Sequence, residues 1–446
     1  MAGLRSFLQR EEHQYVPFIA AAIILGLIVG FPLGMTLSHA AAQGSSLGGR
    51  WQALAQVHGH IQLMGWVGLF VMGMGLRLVP RFTGVRVRPA ALVPLTFVLM
   101  VSGLLLRAAV QPFADEPPLA VLFVTAAALE AAAALTFCAA VLRCLASGRR
   151  EQFLYSPFFA AGAVWIAVAA VLALVFVADA ASNSVTTIAA LRSNALSFLQ
   201  LYGFVLMFIF AVSLRTFPIF FQRRPAQHQL TIAAWALANA GIAIYAAALI
   251  WKSYDHSADV RLLQTVAFLV VGVALVALLA LLRIFEGKPH RLRDSARRSM
   301  RFVRSAYAWL LLAALLQLFF STQALLDQRS LTHFQTDAVR HFLALGFVTT
   351  MIIGMALLVL PRLAMKRAQG RTAALVAPVI LILLHGATAA RGVGALLVDE
   401  ARIETGFWTM TAGGLAAILA MTVFAAYLLW PSRPPEVTLA VRHGRP

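Results

Sequence analysis

Residues 58–82 read HGHIQLMGWVGLFVMGMGLRLVPRF, an apolar run of helix length with His58 and His60 at its start and Pro80-Arg81 at its end. The pattern recurs twice: residues 198–220 read FLQLYGFVLMFIFAVSLRTFPIF and residues 341–363 read HFLALGFVTTMIIGMALLVLPRL. In each copy a glycine (Gly65, Gly203, Gly346) precedes an aromatic and a valine, and a proline (Pro80, Pro218, Pro361) follows the glycine by 15 residues. The copies lie 138 and 143 residues apart, which divides the chain into thirds. A fixed period marks a repeated architecture. His60 and His341 share one register, five residues before their glycine, where the middle copy has Phe198.

The surrounding composition is 61% hydrophobic and 12% charged, far from that of a soluble domain. Twelve apolar runs are each long enough to cross a bilayer, at roughly 15–37, 57–79, 90–110, 118–142, 156–178, 194–217, 230–251, 261–284, 305–325, 338–360, 373–393 and 406–430. Runs this long without alternation are helices, because lipid leaves the backbone no other partners. The first run follows Arg10, Glu11 and Glu12 without a small-residue cleavage site, so it reads as a retained span. The chain is expected to be one polytopic membrane domain, 1–446, with pseudo-repeats at about 15–150, 151–300 and 301–430.

The net charge of +19 is distributed like a topology signal, not like a nucleic-acid surface. Alternate connections carry Arg81, Arg86 and Arg88, then Arg149 and Arg150, Arg223 and Arg224, Arg291 to Arg304, and Lys366, Arg367 and Arg371, while the opposite connections are poor in basic residues. That bias places both termini in the cytoplasm of a bacterial-type inner membrane, with the lipid bilayer as partner and no nucleic acid. Cys138 and Cys144 suggest neither a disulfide nor a thiolate metal site. There is no Gly-rich phosphate loop and no dinucleotide fingerprint.

Histidine within a membrane is costly and faces the bundle interior with a partner. His60 and His341 stand at one depth on two parallel helices, as the axial nitrogens of one heme require. His58 and His60, two residues apart, point to nearly opposite helix faces and so serve different sites. His385, in the outer half of the eleventh span, is the candidate for a second site. Arg107, Arg340 and Arg391 lie near the outer face, where a guanidinium suits a heme propionate. Interfacial anchoring is the alternative for each arginine, and a hydrogen-bonded structural role for each histidine.

These residues resemble two related groups. The string HGHIQLMGWVGLFVMGMGLRLVPRFTG resembles the histidine helix of C-type heme-copper oxidase catalytic subunits, and it is similar to the opening histidine helix of the NnrS family, membrane heme proteins linked to nitric oxide tolerance. The resemblance rests on about 50 residues in the first and third copies. It implies an all-α integral membrane fold of twelve helices in three pseudo-repeated four-helix groups, like subunit I of the oxidases. It also implies a low-spin heme held by His341 and by His58 or His60. The oxidase copper histidines of the sixth and seventh spans are missing from 194–217 and 230–251, and Val339 replaces a further histidine. The resemblance therefore favours an NnrS-type protein with one or two b-type hemes and copper as a further candidate. It would bind nitric oxide as a diatomic ligand or transfer electrons, without reducing oxygen. The alternatives are a secondary transporter, or a non-catalytic assembly or metal-delivery subunit of a respiratory complex. No motif marks the redox partner.

Overall fold

The structure, a computed structural model, describes residues 13–45, 48–148, 154–287, 292, 294–363 and 370–429. Arg149, Arg150, Arg291, Arg293, Lys366, Arg367, His290 and His443, which contribute to the charge and histidine patterns, lie outside the described residues. All regular structure among the described residues is helical.

Among the described residues twelve helices are long and apolar enough to cross a membrane: α1 Val16–Ala42, α2 Gly48–Thr83, α3 Leu92–Phe113, α4 Pro117–Ser147, α5 Ser156–Ser182, α6 Ala190–Phe221, α7 His228–Lys252, α8 Ala258–Leu282, α9 Asp294–Leu326, α10 His333–Val359, α11 Thr372–Asp399 and α12 Ile403–Leu429. The chain is a multi-pass membrane protein. α2 begins well before the expected residue 57, because the amphipathic turn from Trp51 to Gln56 continues the helix beyond the apolar run. It ends at Gly84, whose φ of +73° supplies the left-handed cap that a side chain would resist.

The three patterned helices α2, α6 and α10 are the most buried of the twelve. They touch one another at the centre, while α4 packs on α5, α8 on α9 and α12 on α1 to close the surrounding groups into a ring. The peripheral helices turn residues such as Ile28, Val98, Val121 and Ile382 outward, as a lipid-facing surface requires. Lipid gives apolar side chains no reason to cluster, so close packing must hold the helices together. Small residues provide it: a β-carbon on Gly203 would lie 2.7 Å from the Trp165 ring, and one on Gly346 would lie 2.8 Å from that of Trp309.

Each central helix also changes its winding at the same place. Eight-residue π-helical segments run over Ile61–Gly68, Leu199–Leu206 and Phe342–Thr349, starting directly after His60, Phe198 and His341 and holding the patterned glycine fifth. In α10 the Thr349 and Thr350 hydroxyls donate to carbonyls five residues back, Ala344 at 2.9 Å and Leu345 at 3.5 Å. Such wide turns are uncommon and concentrate at functional sites. Trp66 Nε1–H donates to Thr349 Oγ1 at 3.1 Å, tying the π segment of α2 to that of α10.

Candidate metal and cofactor site

The histidine end of α2 presents two opposite faces. On one, His58 Nδ1–H donates to the Gly30 carbonyl of α1 at 2.8 Å. That bond leaves the lone pair on Nε2, which has no hydrogen-bond partner among the described residues. His58 lies within electrostatic range of His341, Asp337 and Arg391.

His341 is prepared in the same way from the third repeat. Its Nδ1–H donates to the Asp337 carbonyl one turn back at 2.9 Å, with Asp337 Oδ1 at 3.3 Å. Arg391 of α11 holds the same carboxylate, Nη2 to Oδ2 at 3.1 Å. The other Arg391 terminal nitrogen, Nη1, is buried and has no hydrogen-bond partner among the described residues. α10 starts cleanly enough to fix this turn, because Thr332 and Gln335 form a reciprocal capping box. Asp337 was not singled out in the sequence, although a carboxylate four residues before a membrane histidine was the available signal.

On the opposite face of α2, His60 joins a buried charge network. Its Nε2 is 2.7 Å from Glu130 Oε2 of α4, and Arg107 Nη1 of α3 is 4.0 Å from the same oxygen. Arg107 Nε–H donates to Gln111 Oε1 at 3.1 Å, and Gln111 Nε2 donates to Gln56 Oε1 at 3.0 Å. Gln56 then exchanges bonds with the Ile188 backbone, 2.6 Å to its carbonyl and 3.0 Å from its N–H, which ties in the α5–α6 connection. Nε2 of His60 is thus engaged by Glu130, and Arg107 belongs to the same network. The shared register of His60 and His341 does not make them face each other; the histidine of α2 near His341 is His58.

Of the remaining candidates, His385 and His39 make other contacts, while Arg340 lies within electrostatic range of Asp337. His385 Nδ1 accepts from Trp309 Nε1–H at 2.8 Å, and in the second repeat Asn239 Oδ1 accepts from Trp165 Nε1–H at 2.7 Å. His385 therefore occupies a place that an amide fills elsewhere in the same chain. Arg340 Nη2 donates to Asn194 Oδ1 of α6 at 3.0 Å. His39 packs edge-on against Trp408 at 5.2 Å. Among the described residues no group of three or more His, Cys, Asp or Glu side chains could hold a metal ion.

In the middle repeat the same register is filled by rings. Phe198 stacks on Tyr202 at 4.1 Å and meets Tyr245 at 4.3 Å, and Tyr245 stacks on Phe268 at 4.9 Å. Tyr202 O–H donates to Gln317 Oε1 at 2.9 Å, and Gln317 Nε2 donates to the Phe268 carbonyl at 2.6 Å. The only histidine on α6 or α7 is His228, exposed at the first residue of α7, at the end of the bundle away from His58.

A heme fits what His58 and His341 present. Two imidazoles on different helices keep free Nε2 lone pairs, and Arg391 has a spare buried N–H donor for a carboxylate. No protein-family profile and no curated sequence matches the chain. Among solved structures it is similar to a heme-copper terminal oxidase dimer seen by electron cryo-microscopy, with a TM-score of 0.65 and 11% identity over 94% of this chain and 85% of that one. At that identity the likeness establishes the fold, which is that of oxidase subunit I.

Proposed function

We propose that the chain is a membrane b-type heme protein of NnrS type, in which His58 and His341 would hold one heme. The observation that carries this is the pair of imidazoles from different repeats, each with Nδ1–H pinned by a backbone carbonyl and Nε2 left open. Fixing the second nitrogen in this way sets the tautomer and raises ligand basicity. Arg391 would hold a propionate through Nη1 while its other arm keeps Asp337 against His341. A heme bound there supplies one-electron redox chemistry.

With two histidines of the protein to hold one heme, electron transfer is the role the arrangement would favour. Nitric oxide handling is the role that the resemblance to the NnrS family adds. A second heme or copper would draw on His60 or His385, and each already has one ring nitrogen engaged, by Glu130 and Trp309. Oxygen reduction is not part of the proposal, because rings occupy the middle register. The same proposal takes residues 1–446 as one domain of three repeats in a bacterial-type inner membrane, with both termini cytoplasmic and the heme near the outer leaflet.

The test is the reduced spectrum of the purified protein. Sharp low-spin bands are expected, and His58→Ala or His341→Ala should abolish them. A colourless protein without metal overturns the proposal in favour of a transporter or an assembly subunit.

A further inference from the structure

In the second and third repeats, the helix preceding the patterned one brings a bulky ring and the patterned helix brings a glycine: Trp165 against Gly203, Trp309 against Gly346. In the first repeat the roles are exchanged. α1 carries Gly26, Gly30 and Gly34 at intervals of four, and α2, running antiparallel, lays Trp66, Gln62 and His58 onto them in turn. A β-carbon on Gly26 would lie 3.2 Å from Trp66 Cβ, and one on Gly30 would lie 3.0 Å from Gln62 Cδ. One on Gly34 would overlap the His58 ring, lying 2.8 Å from Nδ1 and 2.9 Å from Nε2. Packing alone does not require this exchange, since two repeats pack without it. It also coincides with the one bond that fixes His58, from Nδ1–H to the carbonyl of Gly30.

We propose that α1 is the positioning element for His58: Gly34 provides the space into which the imidazole seats, and the Gly30 carbonyl orients it so that Nε2 faces the third repeat. Neither glycine touches the cofactor; each acts through His58. The inference deepens the heme proposal and rests on it only for its spectroscopic consequence. The seating of the ring is a property of the protein alone. A displaced imidazole loses its outer partner as well as its aim, and loss of such an outer partner typically costs about 10–100-fold in metal affinity.

The experiment is a double-mutant cycle on the full chain in detergent, with Gly34→Ala, His58→Ala and both together, read by thermal melting and by the low-spin bands. Gly34→Ala is expected to lower the melting temperature in the presence of His58 and to be tolerated in the His58→Ala background, where the methyl enters vacated space. It should also cut retention of low-spin heme, whereas Gly26→Ala, opposite Trp66, should destabilise without changing the spectrum. An equal loss of melting temperature in both backgrounds, or a Gly34→Ala protein with an unaltered spectrum and melting temperature, overturns the inference. If the parent protein binds no heme, the heme proposal fails, and the melting cycle alone still decides whether Gly34 seats His58.

Discussion

Replacing Glu130 by alanine separates a structural charge network from a ligand set. His60 Nε2 and Glu130 Oε2 are 2.7 Å apart with side-chain exposures of 7% each, and Arg107 Nη1 stands 4.0 Å from the same oxygen at 5% exposure. Two magnitudes compete. A neutral interhelical hydrogen bond in a membrane protein contributes about 0.6 kcal/mol on average. Truncating one partner of a buried ion pair costs about 3–5 kcal/mol, because the other charge stays in a low dielectric. Glu130→Ala leaves the Arg107 guanidinium with the Gln111 amide, the His60 ring and the Phe123 face, and without a counter-charge among its described neighbours. The larger figure should therefore apply. Equilibrium unfolding in mixed detergent with rising SDS is expected to show a loss of about 3–5 kcal/mol. The reduced spectrum should stay intact, because the proposed heme is held by His58 and His341. A companion variant, His60→Phe with Arg107→Met and Glu130→Leu, imitates the ring-filled register of Phe198. It should be neutral or more stable by about 1–4 kcal/mol, since no charge is left buried. A loss of no more than about 1 kcal/mol in Glu130→Ala would refute the ionic account, and disappearance of the low-spin bands would return His60 to the ligand set.

Three further outcomes follow from the same geometry. His385→Asn should preserve both stability and spectrum, as Asn239 already serves Trp165 in that role, whereas His385→Leu strands the Trp309 N–H and should cost about 1–3 kcal/mol by the same unfolding assay. Arg391→Met should lower cofactor retention on washing, by about 10–100-fold for a charged hydrogen bond of about 1.5–3 kcal/mol, while Arg340→Met, which breaks the bond to Asn194 and leaves the Arg391–Asp337 pair in place, should lower it less. If His58 and His341 both hold the heme, carbon monoxide should leave the reduced parent spectrum unchanged and should bind once His58→Ala removes one of them; ready binding by the parent would contradict the two-histidine arrangement.

The twelve spans were legible because lipid demands an uninterrupted helix and about 20 apolar residues to cross it. Helix ends were less so: α2 starts outside its apolar run because Gln56 is polar for a reason, its amide closing the network between Gln111 and Ile188. The π segments left no trace in the pattern, since eight residues are too few to distinguish a wide turn from an ordinary one. At the site, the opposition of His58 and His60 could be derived from helical rotation. What lay on either side of α2 could not be derived, because that depends on which helices surround it. The role of His385 was hidden for a similar reason: its equivalence to Asn239 emerges only when Trp165 and Trp309 are superposed as donors.

The same circumstance explains why matching register alone does not choose between His58 and His60 as the partner of His341. About a pseudo-threefold axis, equivalent positions point towards equivalent neighbours, not towards each other. The position five residues before the glycine faces the third helix of its own group in every repeat: His60 towards Arg107 of α3, Phe198 towards Tyr245 of α7, His341 within reach of Arg391 of α11 through Asp337. Two side chains that meet between groups must therefore come from different registers. His58, two residues earlier and on the other face, is placed to meet the last group because α12 closes the ring against α1. The three copies thus hold one position in common and use it three ways: a charge lock with Glu130 and Arg107, an aromatic plug around Phe198, and an imidazole held through Asp337 by Arg391. Under the heme proposal only the third use draws on a partner from outside its repeat, His58 of α2, which the Gly30 carbonyl of α1 orients.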